Sequence, residues 1–203
     1  MLPDKETLLV CPHCGTNKAV LSLASGNTFG GRQWWDFKTD YPMLPHISFV
    51  QKCPACNKYY MRNLAEHKKG NAYSFEQGLL SYAEMREAWA QMKDSLVGPE
   101  RGNLLIEYAW AYNDAFQREG VERDDAYPDD AQLKEFQGVI RELIGTLPQE
   151  NRLVHAEFLR EARFFEEALD IVEHEEPSDP VLLKLSAILR KKCLDKDSGV
   201  GII

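Results

Sequence analysis

Long apolar runs are missing from this 203-residue chain. None approaches the roughly 18 residues that span a bilayer as a helix, so no membrane-spanning helix is expected. The first ten residues carry charges around a short patch, Leu8-Leu9-Val10. They lack the basic, apolar and small-residue regions of a signal peptide, and a cytoplasmic chain is expected. Basic charge is also scarce: 24 Lys and Arg face 32 Asp and Glu, a formal net charge of −8. Catalytic signatures are missing too. The chain holds no H-E-x-x-H, no G-x-S-x-G, no Walker loop and no dinucleotide fingerprint, and its histidines (13, 46, 67, 155 and 174) are scattered. The glycine-rich stretch 25–31 has no lysine after its last glycine, so it reads as a hairpin turn and not as a phosphate loop. The chain is expected not to be an enzyme. What remains is an ordinary globular composition, 44% hydrophobic and 10% aromatic, enough for one generous domain or two small ones.

Cysteines are few but not random. Four of the five form two C-x-x-C pairs, Cys11-Pro12-His13-Cys14-Gly15 and Cys53-Pro54-Ala55-Cys56-Asn57. An odd total with no export signal argues against a disulfide framework, and two such pairs argue for one tetrahedral metal ion. Proline after the first cysteine pre-sets φ. The residue after the second cysteine of such a knuckle often needs a left-handed backbone, which Gly15 adopts freely and Asn57 tolerates. Residues 8–62 thus resemble a zinc ribbon. Zn²⁺ held by Cys11, Cys14, Cys53 and Cys56 would be structural, because a closed four-thiolate site keeps no open position for catalysis. A thioredoxin-type redox pair is disfavoured, since neither C-x-x-C leads into a helical pattern. His13 is expected to face solvent, and Cys193 to pack as a small hydrophobe.

Between the knuckles, Ala19-Val20-Leu21-Ser22-Leu23 and Ile47-Ser48-Phe49-Val50 read as strands, and Tyr59-Tyr60 continues a strand beyond the second. A three- or four-stranded antiparallel sheet clipped by zinc is expected. Trp34 and Trp35 are adjacent and would point to opposite faces of a strand, one onto the zinc core and the other to the helical part or outward. Both can be packing residues. Alternatively, the outward one joins Met43 and Leu44 as a partner anchor.

From Ser74 the hydrophobic period becomes helical. Ser74-Phe75-Glu76-Gln77 has capping-box form, and Phe75, Leu79, Tyr82, Trp89 and Leu96 follow helical spacing. Gly98-Pro99 interrupts the pattern. Leu104 to Phe116 and Leu133 to Leu147 mark two more helices, joined by an acidic loop whose carboxylates suit helix capping. Ala156, Leu159, Phe165, Ala168 and Pro180 fall where a tetratricopeptide repeat keeps its small, aromatic and proline residues, so residues 150–193 resemble one repeat plus a following helix. A generic helical bundle is the alternative. The tail from Asp195 is expected to fray, though Ile202-Ile203 could dock. The whole layout resembles bacterial proteins with an N-terminal zinc ribbon and tetratricopeptide-like helices. That resemblance implies a bacterial cytoplasmic protein and no particular activity.

The expected fold is therefore α+β, with an antiparallel zinc-ribbon β-module over 1–70 and an all-α, tetratricopeptide-like bundle over 71–203. Charge divides the same way. Residues 1–70 hold nine basic against five acidic residues, and 71–203 hold fifteen against 27. Four thiolates on one Zn²⁺ lower the first balance to about +2. Lys52, Lys58, Arg62, Lys68 and Lys69 gather near the second knuckle, with Tyr59 and Tyr60 between them. This basic edge is expected to face the chain's own acidic helices. The alternative is a nucleic-acid surface on which bases stack over the tyrosines. The expected function is a protein–protein interaction or scaffold module, with a nucleic-acid-binding regulator as the alternative.

Overall fold

The computed structural model describes residues 2–3, 7–20, 23–70, 79–120, 127–175 and 177–202. The chain is α+β: among the described residues, short antiparallel strands precede six α-helices. Two compact units form. The first comprises residues 1–33 and 38–111, the second residues 34–37 and 112–203. The change from strand to helix after residue 70 is thus not where compactness divides. No helix among the described residues is long and apolar enough to cross a membrane.

The first unit holds strands β1 (Leu2–Pro3), β2 (Thr7–Val10), β3 (Asn17–Val20), β4 (Leu23–Ser25), β5 (Arg32–Gln33), β6 (Thr39–Asp40), β7 (Val50–Lys52), β8 (Tyr59–Met61) and β9 (Glu66–Lys69). Among the described residues, four small ladders stand in place of the single sheet expected from the sequence. One has the order β3-β2-β9, and the others pair β1 with β4, β5 with β6, and β7 with β8. The reason is local. Strands of two to four residues are cut short by turns, and each C-x-x-C knuckle closes its own hairpin, at Val10↔Asn17 and at Lys52↔Tyr59. Ile47 to Phe49, expected as strand, lie before β7. The unexpected strand β9 is fully exposed and reads Glu-His-Lys-Lys, a charged edge of the kind that blocks further strand pairing.

Helix α1 (Tyr82–Met92) starts at a capping box, with Ser81 accepting from the Glu84 N–H and Glu84 reaching back. The box expected at Ser74 lies outside the described residues. Tyr82, Met85, Ala88, Trp89 and Met92 form the buried face of α1. They meet α2 (Gly98–Phe116), whose residues 98–111 belong to this unit. Tyr108 is the hub, edge-on to Tyr82 at 5.8 Å and to Trp89 at 6.1 Å.

The second unit contains α3 (Asp130–Thr146), α4 (Arg152–Glu161), α5 (Phe165–Glu173) and α6 (Pro180–Leu194). Asp129 of the acidic loop caps α3 in a box with Gln132, and Asp179 caps α6 ahead of Pro180. Helices α4, α5 and α6 pack in sequence around Ala156, Leu159, Ala168, Val172, Leu189 and Cys193. The small Ala156 and Ala168 are fully buried, as close helix approach requires. Cys193 sits in this core as a packed hydrophobe, its thiol pushed up to about 11 by burial. The tail corrects the expectation of fraying. The Val200 N–H donates to Gln117 O and the Glu119 N–H to Val200 O, each at 2.9 Å, while Lys192 holds Asp197 and the Gly199 carbonyl.

Candidate metal centre

Each knuckle builds the same turn by the same bonds. In the first, the Gly15 N–H donates to Cys11 O and the Cys11 N–H to Thr16 O, both at 2.9 Å. In the second, the Asn57 N–H donates to Cys53 O at 3.0 Å and the Cys53 N–H to Lys58 O at 2.9 Å. Both turns need a left-handed residue at the same place, and Gly15 (φ 75°) and Asn57 (φ 56°) provide it.

The two turns bring Cys11, Cys14, Cys53 and Cys56 together, all four Sγ atoms within 4.8 Å of one another. Cys11 Sγ lies 3.8 Å from Cys56 Sγ, and Cys14 Sγ 3.6 Å from Cys53 Sγ. A tetrahedral ion with metal–sulfur bonds of about 2.3 Å sets its sulfurs about 3.8 Å apart, so the observed spacing fits one. A disulfide needs about 2.05 Å, and these thiols are free. Electrostatics point the same way. Thr16, through its hydroxyl and its backbone, holds the exposed Cys14 thiol down at about 6. Cys56 keeps a backbone hydrogen bond at Lys58 that favours ionisation, yet desolvation and the three other thiols push it up to about 12. Four thiols in one small volume resist ionising together unless a cation joins them.

Apolar packing closes the inner side. Leu9, Val20, Tyr60 and Ala65 are buried against Cys11 and Cys53. Desolvation, with the neighbouring cysteines, pushes the Tyr60 phenol up to about 12. His13 is exposed, as expected, with Nε2 3.1 Å from the Tyr59 carbonyl oxygen.

The strand carrying Tyr59 and Tyr60 is buried on both faces. Tyr60 faces the thiol cluster, and Tyr59 faces α1, where its hydroxyl donates to Glu87 at 2.8 Å and its N–H to Gln91 at 3.4 Å. Lys52 Nζ lies 3.3 Å from Glu84 and 3.9 Å from Glu87. Part of the basic edge therefore meets the chain's own acidic helix, and the two tyrosines offer bases no exposed rings.

A second holding element was missed. Glu107 on α2 is fully buried. Its Oε1 accepts from the Phe49 N–H at 2.8 Å and lies 3.4 Å from His46 Nε2. Its Oε2 accepts from Ser48 Oγ at 2.8 Å and the Val50 N–H at 3.1 Å. One carboxylate thus fixes the chain that enters β7 and leads to Cys53. The available signal was an acid alone in the apolar run Leu104-Leu105-Ile106-Glu107-Tyr108-Ala109-Trp110.

The candidate partner residues are mostly withdrawn from solvent. Trp34 and Trp35, expected on opposite strand faces, are both buried in the second unit with Val200. The strand ends at Gln33, and a turn closed by the Phe37 N–H on Trp34 O lets both rings pack inward. Tyr59 and Tyr60 are buried, Leu44 is half-buried, and Met43 is the exposed one of the six. Comparison with protein-family models, with curated proteins and with solved structures finds no match to this chain.

Proposed function

We propose that the chain is a non-catalytic protein–protein interaction module stabilised by structural zinc. In this reading the first unit is a zinc ribbon, and α4 to α6 are tetratricopeptide-like helices that present a binding face. The four-thiol cluster supports zinc, because a closed soft-donor tetrahedron favours that ion and leaves no position for a substrate. Five free cysteines suit a reducing compartment, and we place the protein in the cytoplasm.

The observation that carries the interaction reading is α6. Val181, Leu182, Leu183, Ile188 and Leu194 all stand exposed on this one helix. A terminal helix of a stacked array needs a polar outer face to stay soluble alone. Here the apolar side chains are accompanied by exposed Lys184 and Lys191. The partner that fits is a protein presenting an apolar helix with acidic flanks.

Zinc content by elemental analysis should give one ion per chain. Affinity capture with the full zinc-loaded chain should then recover a defined partner, and Leu183→Glu should abolish its recovery while the circular dichroism melt is unchanged. A captured protein indifferent to Leu183→Glu and Ile188→Glu would refute α6 as the binding site.

A further inference from the structure

The segment Trp34-Trp35-Asp36-Phe37 belongs to the second unit, whereas the chain on both its sides belongs to the first. Within the second unit it is held as a bound peptide is held, by a different contact at each residue. The Arg118 guanidinium lies over the Trp34 ring, 4.5 Å from its centroid. Trp34 forms an antiparallel bridge with Ile202, and the Trp35 N–H donates to Gly201 O at 3.1 Å. Asp36 is fully buried. Its Oδ2 accepts from Arg118 Nη2 at 2.7 Å and from Asn113 Nδ2 at 3.0 Å, while Oδ1 faces Arg118 Nη1 at 3.4 Å. Phe37 tilts against Phe158 at 6.2 Å.

The receiving groups come from α2, the segment after it, α4 and the tail. They combine two known ways of reading a peptide, strand addition along a backbone edge and an arginine fork for a carboxylate. The fit is imperfect. Phe37 carries φ 62°, an unfavourable backbone for a bulky residue. A void of about 20 Å³ remains between Trp35, Phe37 and Leu185.

We infer that the second unit contains a recognition site for a short peptide with aromatic residues on both sides of an aspartate, and that the chain's own residues 34–37 occupy that site in cis. A partner displaying the same pattern competes with the internal segment. The partner must overcome an effective concentration on the millimolar scale, so the resting chain is self-occupied. The inference rests on the interaction-module reading but uses a site separate from the exposed side chains of α6, which meets the segment only through its inner residues Leu185 and Leu189.

The test uses the full chain and a fluorescein-labelled peptide of residues 31–39, Gly-Arg-Gln-Trp-Trp-Asp-Phe-Lys-Thr. Asp36→Asn in the protein weakens the internal ligand and keeps its shape. The variant should bind the peptide at least about tenfold more tightly than the native chain does, by loss of a charge-assisted pair on the internal segment. A peptide with asparagine in place of its aspartate should bind the variant at least about tenfold more weakly. A folded variant that binds neither peptide, or both alike, overturns the inference. Should the variant not fold, hydrogen exchange of the native chain decides. Millimolar aspartate peptide should speed exchange at residues 34–37, and the asparagine peptide should not. Unchanged exchange overturns the inference. Loss of peptide binding with capture through α6 intact refutes this site alone.

Discussion

Glu107→Gln preserves size and shape and exchanges one carboxylate oxygen for an amide nitrogen. The native carboxylate faces four donors, two on each oxygen: the Phe49 N–H and His46 Nε2 on one, Ser48 Oγ and the Val50 N–H on the other. The glutamine oxygen can keep one pair. Its NH₂ then points at the other pair, donor against donor. Hydrogen bonds to a charged group contribute about 1.5–3 kcal/mol each, so losing two should cost about 3–6 kcal/mol. The direct readout is amide hydrogen exchange at Phe49 and Val50, whose N–H groups are the bonded donors. Protection at one or both should fall by well over about tenfold, the equivalent of about 1.4 kcal/mol. Because these residues lead to Cys53, metal affinity measured by chelator competition should fall as well. Unchanged exchange at both amides, with a stability loss under about 1 kcal/mol, would refute the assignment of Glu107 as the clamp on this segment.

Other perturbations test the rest of the architecture. A Cβ at Gly15 meets nothing within 4 Å at φ 75°, so Gly15→Ala should cost only the left-handed strain, about 1–2 kcal/mol. Asn57→Gly should be near neutral, and urea titrations of the metal-loaded protein will show whether the asymmetry holds. Removing the metal with a chelator, or replacing Cys53 with serine, should withdraw binding energy on the order of 10 kcal/mol and unfold the strands β2, β3, β7 and β8; Cys193→Ser should not release metal. Glu161 is held well above its ordinary 4.5 by burial and by the Glu157 and Asp36 carboxylates. The folded chain therefore binds a proton that the unfolded chain gives up above about pH 4.5, and the stability from this group is complete below that pH and declines as pH rises. Glu161→Gln should flatten that decline in urea unfolding between pH 4 and pH 7, and an unaltered slope would show that Glu161 does not carry the proton.

The four-thiol cluster was legible because its grammar is local. Proline after the first cysteine and a left-handed residue after the second specify a turn with no help from the rest of the fold, and both turns form at Gly15 and Asn57. Helix starts were legible where a cap is written beside an apolar period, as at Asp129 of the acidic loop. The tryptophans were not. Alternation predicts opposite faces only while a strand continues, and here it ends at Gln33. The two rings follow a turn whose destination depends on Arg118 and Asn113, more than 70 residues away. The tail misled for a similar reason. A short polar end with two isoleucines carries no period, and its order comes from backbone pairing with Gln117 and Glu119. Tyr59 and Tyr60 were read as a pair when a strand sends them to opposite neighbours, one to the thiols and one to the acids of α1.

The buried charges of the second unit follow a balance that no single residue reveals. Three fully buried or nearly buried carboxylates, Asp36, Glu157 and Glu161, share its interior with two guanidiniums, Arg118 and Arg160. Arg118 forks onto Asp36, and Arg160 pairs with Glu157 through Nε at 2.9 Å and through Nη2. Glu161 instead accepts from the neutral Asn113 amide at 2.9 Å. Five ionised groups would leave one uncompensated negative charge in a low-dielectric core, which folding tolerates poorly. A proton removes it most readily from the carboxylate without a guanidinium fork, and that is Glu161, the group whose proton affinity burial and its two acidic neighbours raise. Asn113 bridges the two acids, because its one amide donates to Asp36 and to Glu161 at once. It links the Asp36 carboxylate of segment 34–37 to the Glu161 carboxyl at the end of α4. Asp36 adds to burial and to Glu157 in raising the proton affinity of Glu161, so an occupant of that site without a carboxylate would lower it.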